Sequence, residues 1–217
     1  MDWDFKKANT KKKALMINFL IIFWSWLPFV FISLWSNSIT LIAQMLMGGA
    51  QSLSVYLSMR TAKKSVKKQE NLLSREVINA RIMVSVFFIS FFVVVFIAIK
   101  RFYYPKELEI YASILGAVVN AAAVFVNLYQ WRKNLKISQD EFSPVMESQW
   151  SLFRIKTFTA LTSVLSILVY YLLPIVFPNE SYFHSYIDPL FSLALAALIM
   201  YSAYSLFKKA NFGNANL

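Results

Sequence analysis

Residues Ile82–Ile99 read IMVSVFFISFFVVVFIAI, with no charge inside the run and with Arg81 and Lys100-Arg101 closing it on either side. Such a run suits neither a soluble helix, which needs a polar face, nor a strand, which is far shorter. As a helix it covers about 27 Å, close to the roughly 30 Å hydrocarbon core of a bilayer. Five further apolar runs of similar length follow the same pattern: Ala14–Leu34, Ile39–Met59, Ile110–Tyr129, Thr157–Phe177 and Ile187–Phe207. The sequence therefore predicts an all-α membrane protein with six transmembrane helices spanning about 14–209. A basic segment, 1–13, precedes them and a short tail, 210–217, follows. The first run is too long for a signal-peptide core, and no small-residue cleavage site follows it.

Composition agrees. Of 217 residues, 58% are hydrophobic and only 15% charged, against about 25% charged in an ordinary soluble domain. There is no Cys and one His, His184, so thiolate zinc sites and disulfides are excluded. The net charge of +11 raises the question of nucleic acid, but the basic residues lie between the apolar runs in the pattern of the positive-inside rule. No nucleic-acid partner is expected. The lipid bilayer is the expected environment, and the loop Lys63–Glu70, KKSVKKQE, is the segment suited to anionic headgroups.

Orientation follows from Lys and Arg. Residues 1–13, Arg60–Arg81, Arg132–Lys156 and the tail hold 5, 7, 5 and 2, which makes 19 on one side; Lys100, Arg101 and Lys106 are the 3 on the other. Both termini are thus predicted in the cytoplasm, with the protein in a bacterial inner membrane.

Polar residues within apolar runs carry the functional question, because hydrocarbon tolerates them only where they face a bundle interior or a wet cavity. Gln44, Met47 and Gln51 lie on the second run, and Met47 and Gln51, four apart, share a face. Asn120 and Asn127 share a face of the fourth. Leu152 and Lys156 are again four apart at the start of the fifth, and Lys156 is the one charge close to the bilayer core. Each also has a structural reading: Gly48-Gly49 as a close-packing notch, the amides as interhelical glue, and Lys156 as a side chain reaching for the headgroups. No nucleophile–base pair, paired intramembrane carboxylates or phosphate-cradling glycine loop occurs, so no enzyme and no cofactor is expected.

Three segments together resemble the transmembrane domain of the cation diffusion facilitator family, which exports divalent metal ions in exchange for protons. They are SNSITLIAQMLMGGAQSLSVYLSMR (36–60), FSPVMESQWSLFRIKTFTALTSV (142–164) and Asp188-Pro189 at the start of the last run. The resemblance implies a six-helix bundle with the second and fifth helices adjacent, and a homodimer or a membrane-protein partner. It also implies metal ligands four apart on those two helices. Here these positions hold Met47 and Gln51, then Leu152 and Lys156, with Gln44 nearby. A thioether, an amide, an aliphatic group and an ammonium do not make a zinc site. An ammonium 4 Å from a dication is repelled by about 8 kcal/mol at an effective dielectric of 20. No metal is expected at this site. By the same resemblance, Lys156 is expected within reach of Gln51 and Asn120. The chain also ends at Leu217, without the cytoplasmic domain that many members carry. Three functions fit: transport of another solute through the central cavity, a non-transporting membrane subunit or scaffold, and metal efflux through other ligands.

Overall fold

The computed structural model describes residues 2–65, 72–140, 144–178 and 183–212. Six helices account for nearly all of them: α1 (Asp2–Trp35), α2 (Ile39–Ser65), α3 (Leu72–Tyr103), α4 (Ile110–Asp140), α5 (Pro144–Val176) and α6 (His184–Phe212). All six expected runs are helical, and every helix is longer than its run. The extensions lie mainly at the end of the bundle where α1 starts. There α1 takes in the basic segment from Asp2, and α5 begins at Pro144 instead of Thr157. Hydropathy marks the part of a helix that meets lipid, whereas backbone hydrogen bonding carries the helix on into the headgroups. The side chains of Lys63–Glu70 lie outside the described residues.

Five helices are long and apolar enough to cross a membrane on their own; α2 falls short. Its composition explains why. It carries Gln44, Gly48, Gly49, Gln51, Ser52 and Ser54, and between Ile39 and Val55 only Leu53 is exposed. α2 packs against α1, α3, α5 and α6, so it meets helices where its neighbours meet lipid. A span enclosed by protein need not be apolar all round.

The outer surface is correspondingly greasy. Trp24, Phe31, Phe92, Phe96, Tyr111 and Phe125 are all exposed. Trp35, Tyr103 and Tyr104 ring the end opposite the termini, as amphipathic aromatics do at a membrane interface.

Inside, one apolar core joins α2, α3, α5 and α6 through Met47, Phe87, Leu152, Leu195 and Ile199. On the other side of α2, helices α1, α2, α4 and α5 meet in stacked apolar layers. From the opposite end toward the chain termini these are Phe29, Ile32, Leu41 and Ile167, then Ile22, Val55 and Phe153, then Ala14 and Leu15. Trp131 packs on the middle layer.

The α1–α2 contact is set by the two glycines. Trp26 lies over them and donates its indole N–H to the Met45 carbonyl at 2.9 Å. A Cβ on Gly48 would come within 2.9 Å of Trp26 Cδ1, and one on Gly49 within 3.4 Å of Cζ2. The indole is rigid and held by its hydrogen bond, so it cannot yield at Gly48. Gly48→Ala is therefore expected to destabilise the protein by about 1–3 kcal/mol through overpacking. Gly49→Ala is expected to be neutral or to gain up to about 1 kcal/mol from helix propensity. Thermal unfolding of the two variants in detergent checks this; equal behaviour would refute the close contact.

Candidate functional site

The start of α2 is built by residues far apart in sequence. Asn37, with φ of 57°, turns the chain between α1 and α2, a left-handed conformation that Asn tolerates better than most residues. Ser38 then caps α2, its Oγ accepting the Leu41 N–H at 3.3 Å. The remaining donors converge on Asp188 of α6. Its carboxylate accepts from Ser38 Oγ at 2.6 Å, the Ile39 N–H at 2.6 Å, the Thr40 N–H at 3.2 Å and Thr40 Oγ1 at 2.6 Å. An anion at a helix N-terminus is favourable both for the dipole and for the orphan N–H groups. Arg101 lies near enough to act on the same carboxylate electrostatically, and it donates to the Asn37 carbonyl at 2.8 Å. Two segments that carried the family resemblance, 36–60 and Asp188-Pro189, thus meet in one buried network.

Along α2 the face Gln44, Met47, Gln51 turns inward, and all three are buried. α2 and α5 are in contact, and Gln51 Nε2 donates to the Leu152 carbonyl at 3.5 Å, a long bond. Met47 and Leu152 lie in the same apolar core. Lys156 is half-buried. The expected link from its ammonium to Gln51 or Asn120 is not among the hydrogen bonds of the described residues, and the Gln51 Oε1 that would accept it has no partner. The physical reason is register. The Gln51–Leu152 bond sets Gln51 one turn of α5 away from Lys156, and Met47 is the α2 residue level with the lysine.

Asn120, Asn127 and Lys156 belong to a larger polar set, whose other members, Asn134, Gln149, Ser163 and Gln130, the apolar runs do not reveal. On α4, Asn120, Asn127 and Asn134 recur every seven residues, and each is buried with its Nδ2 unpartnered. On α5, Gln149, Lys156 and Ser163 recur at the same spacing. Gln149 is 0% exposed with both carboxamide atoms unpartnered, and Ser163 Oγ is unpartnered as well. Asp140 ends α4 and Pro144 begins α5, so the two helices pack as an antiparallel hairpin. That register sets Asn134 level with Gln149, Asn127 with Lys156, and Asn120 with Ser163. Gln130 adds an unpartnered Oε1. Asn18 of α1 donates to Asn134 Oδ1 at 3.3 Å. The outward face of α4, by contrast, is Tyr111, Ile114, Val118, Phe125 and Tyr129, all exposed. The signal was present in the sequence as the seven-residue spacing, which keeps a seam facing its partner helix.

Chemically, this interior offers carboxamides, hydroxyls and one ammonium. Among the described residues no three of His, Cys, Asp and Glu come together. Carboxamides donate and accept hydrogen bonds without charge, whereas zinc takes imidazole, thiolate or carboxylate. The four positions where the resemblance puts metal ligands hold a thioether, an amide, an aliphatic group and an ammonium.

Compared with known proteins, the chain matches the model of a family described as the cation efflux transmembrane domain over residues 15–212. No curated protein matches it.

Proposed function

The chain belongs to the cation efflux family, a family of multi-pass membrane transporters, and from that premise we propose that it moves a solute other than a divalent metal ion through its central polar region. Lys156 stands as a fixed cation where the family pattern has an acid, and it faces an anionic or polar group of that solute. The observation that carries this reading is the replacement of every expected ligand, Met47, Gln51, Leu152 and Lys156, in a bundle whose α2 and α5 still meet through Gln51 and Leu152. The bundle is kept and the metal chemistry is not. We read the protein as residing in a bacterial cytoplasmic membrane with both termini inside, on the 19-to-3 distribution of basic residues. As a member of a family that dimerises, it is read as pairing with a second copy or with another membrane protein.

The test is reconstitution into liposomes carrying an internal zinc-sensitive dye, together with calorimetric titration of the purified protein with Zn²⁺. The expected result is no zinc flux above that of protein-free vesicles and no micromolar binding. Micromolar binding that disappears in Gln51→Ala would overturn the reading in favour of metal efflux.

A further inference from the structure

We propose that the seam between α4 and α5 is a file of water-binding sites that solvates the Lys156 ammonium within the bundle. The rungs are Asn134 with Gln149, Asn127 with Lys156, and Asn120 with Ser163. Successive rungs are seven residues apart, about 10.5 Å at 1.5 Å per residue, so the three span roughly 21 Å of the bilayer core.

Each rung holds a buried polar atom with no protein partner: Asn134 Nδ2 and both side-chain atoms of Gln149, then Asn127 Nδ2, then Asn120 Nδ2 and Ser163 Oγ. A buried polar group left unsatisfied costs about 1–3 kcal/mol. Six such atoms would take up most of the roughly 5–15 kcal/mol by which proteins are stable. Lipid cannot relieve them, because the exposed face of α4 is apolar and the amides point inward. They do not pair across the seam either, and a bound water takes two to four hydrogen bonds from such groups.

Lys156, half-buried at the middle rung, brings an ammonium with three donors, and its nearest expected acceptor, the Gln51 carbonyl, is not engaged. Water on the Asn127 rung supplies acceptors to it. Among the described residues, apolar side chains lie beyond both ends of the file. Beyond Ser163 lies the layer of Phe29, Ile32, Leu41 and Ile167. Beyond Asn134 lie Ala14 and Leu15 with Ile137.

Radiolytic hydroxyl labelling with mass-spectrometric readout tests this, because radicals formed from bound water modify side chains beside it. Phe153 and Phe87 form a matched pair, 1% and 0% exposed. Both pack in apolar clusters, Phe153 with Ile22 and Val55 and Phe87 in the core of α2, α3, α5 and α6, but Phe153 lies between Gln149 and Lys156 on α5 and so has a rung on either side of it. The expected result is that Phe153 is modified several-fold faster than Phe87, and that Asn134→Leu/Gln149→Met brings Phe153 down to the Phe87 rate. If that double variant does not fold, Asn127→Leu serves in its place. Equal rates for the two phenylalanines in the unsubstituted protein would overturn the proposal, as would a folded variant that leaves Phe153 labelling unchanged. The experiment needs no solute, so its outcome is separate from that of the zinc measurements.

Discussion

Asp188→Ala is expected to lower the stability of the bundle by about 3–5 kcal/mol, the range seen when one partner of a buried charged network is removed. Asp188 is 2% exposed, and its two oxygens take the Ser38 hydroxyl, the Thr40 hydroxyl and the Ile39 and Thr40 amides. Alanine leaves the Ser38 hydroxyl and the Ile39 and Thr40 amides without their acceptor at the N-terminus of the most enclosed helix, while the Thr40 hydroxyl keeps the backbone carbonyl of residue 188 at 3.2 Å. The Ser38 and Thr40 hydroxyls can rotate toward backbone carbonyls, but the amides are fixed by the helix. Asp188→Asn keeps the shape and one acceptor oxygen and turns an NH₂ toward groups that themselves donate, so it should fall between wild type and alanine. Thermal unfolding in detergent, followed by the loss of monodisperse protein, ranks the three. An alanine variant within about 1 kcal/mol of wild type, the worth of an ordinary hydrogen bond, would show that the network is not what holds α2 in place.

Lys156→Met is expected to leave stability unchanged or raise it by up to about 3 kcal/mol, the insertion cost of a Lys at a transmembrane helix centre, and to abolish transport of the natural solute. The charge is lost and the length is kept. Had the ammonium been a lock between α2 and α5, removing it would loosen the bundle. The Gln51 carbonyl, however, has no partner, so there is no lock to remove. A marked fall in thermal stability, with activity dropping only in proportion to folded protein, would restore the structural role and refute the anchoring one. Unchanged stability with unchanged transport would leave Lys156 as a side chain that only reaches for water.

The fold was legible because lipid exposure writes itself into composition. Six apolar runs with basic residues concentrated in alternate gaps imply one topology, and the structure has a helix at each. What hydropathy missed is the part of each helix that does not face lipid. α2 reads as the weakest span because it is the most enclosed. The fourth apolar run ends at Tyr129 and the fifth begins at Thr157, so Asn134 and Gln149 fall outside both, although they are among the most deeply buried polar residues in the bundle. The seven-residue step from Asn120 to Asn127 was visible, and one more step would have reached Asn134. The meeting of Gln51 with Leu152 came from the family pattern and from no property of the residues themselves. Nothing local in Gln51 or Asn120 could tell that Lys156 stands one turn out of register with the first and level with a different asparagine from the second.

The Asp188 network also bears on movement. It fastens α6 to the first turn of α2 at one end of the bundle, by bonds short enough to resist sliding. Toward the chain termini the same two helices meet, among the described residues, through apolar packing of residues such as Ala50, Ile199 and Ala203, which carries no directional bond. The two ends of the α2–α6 contact therefore differ in kind: the Asp188 end fixes position and angle, and the other sets spacing.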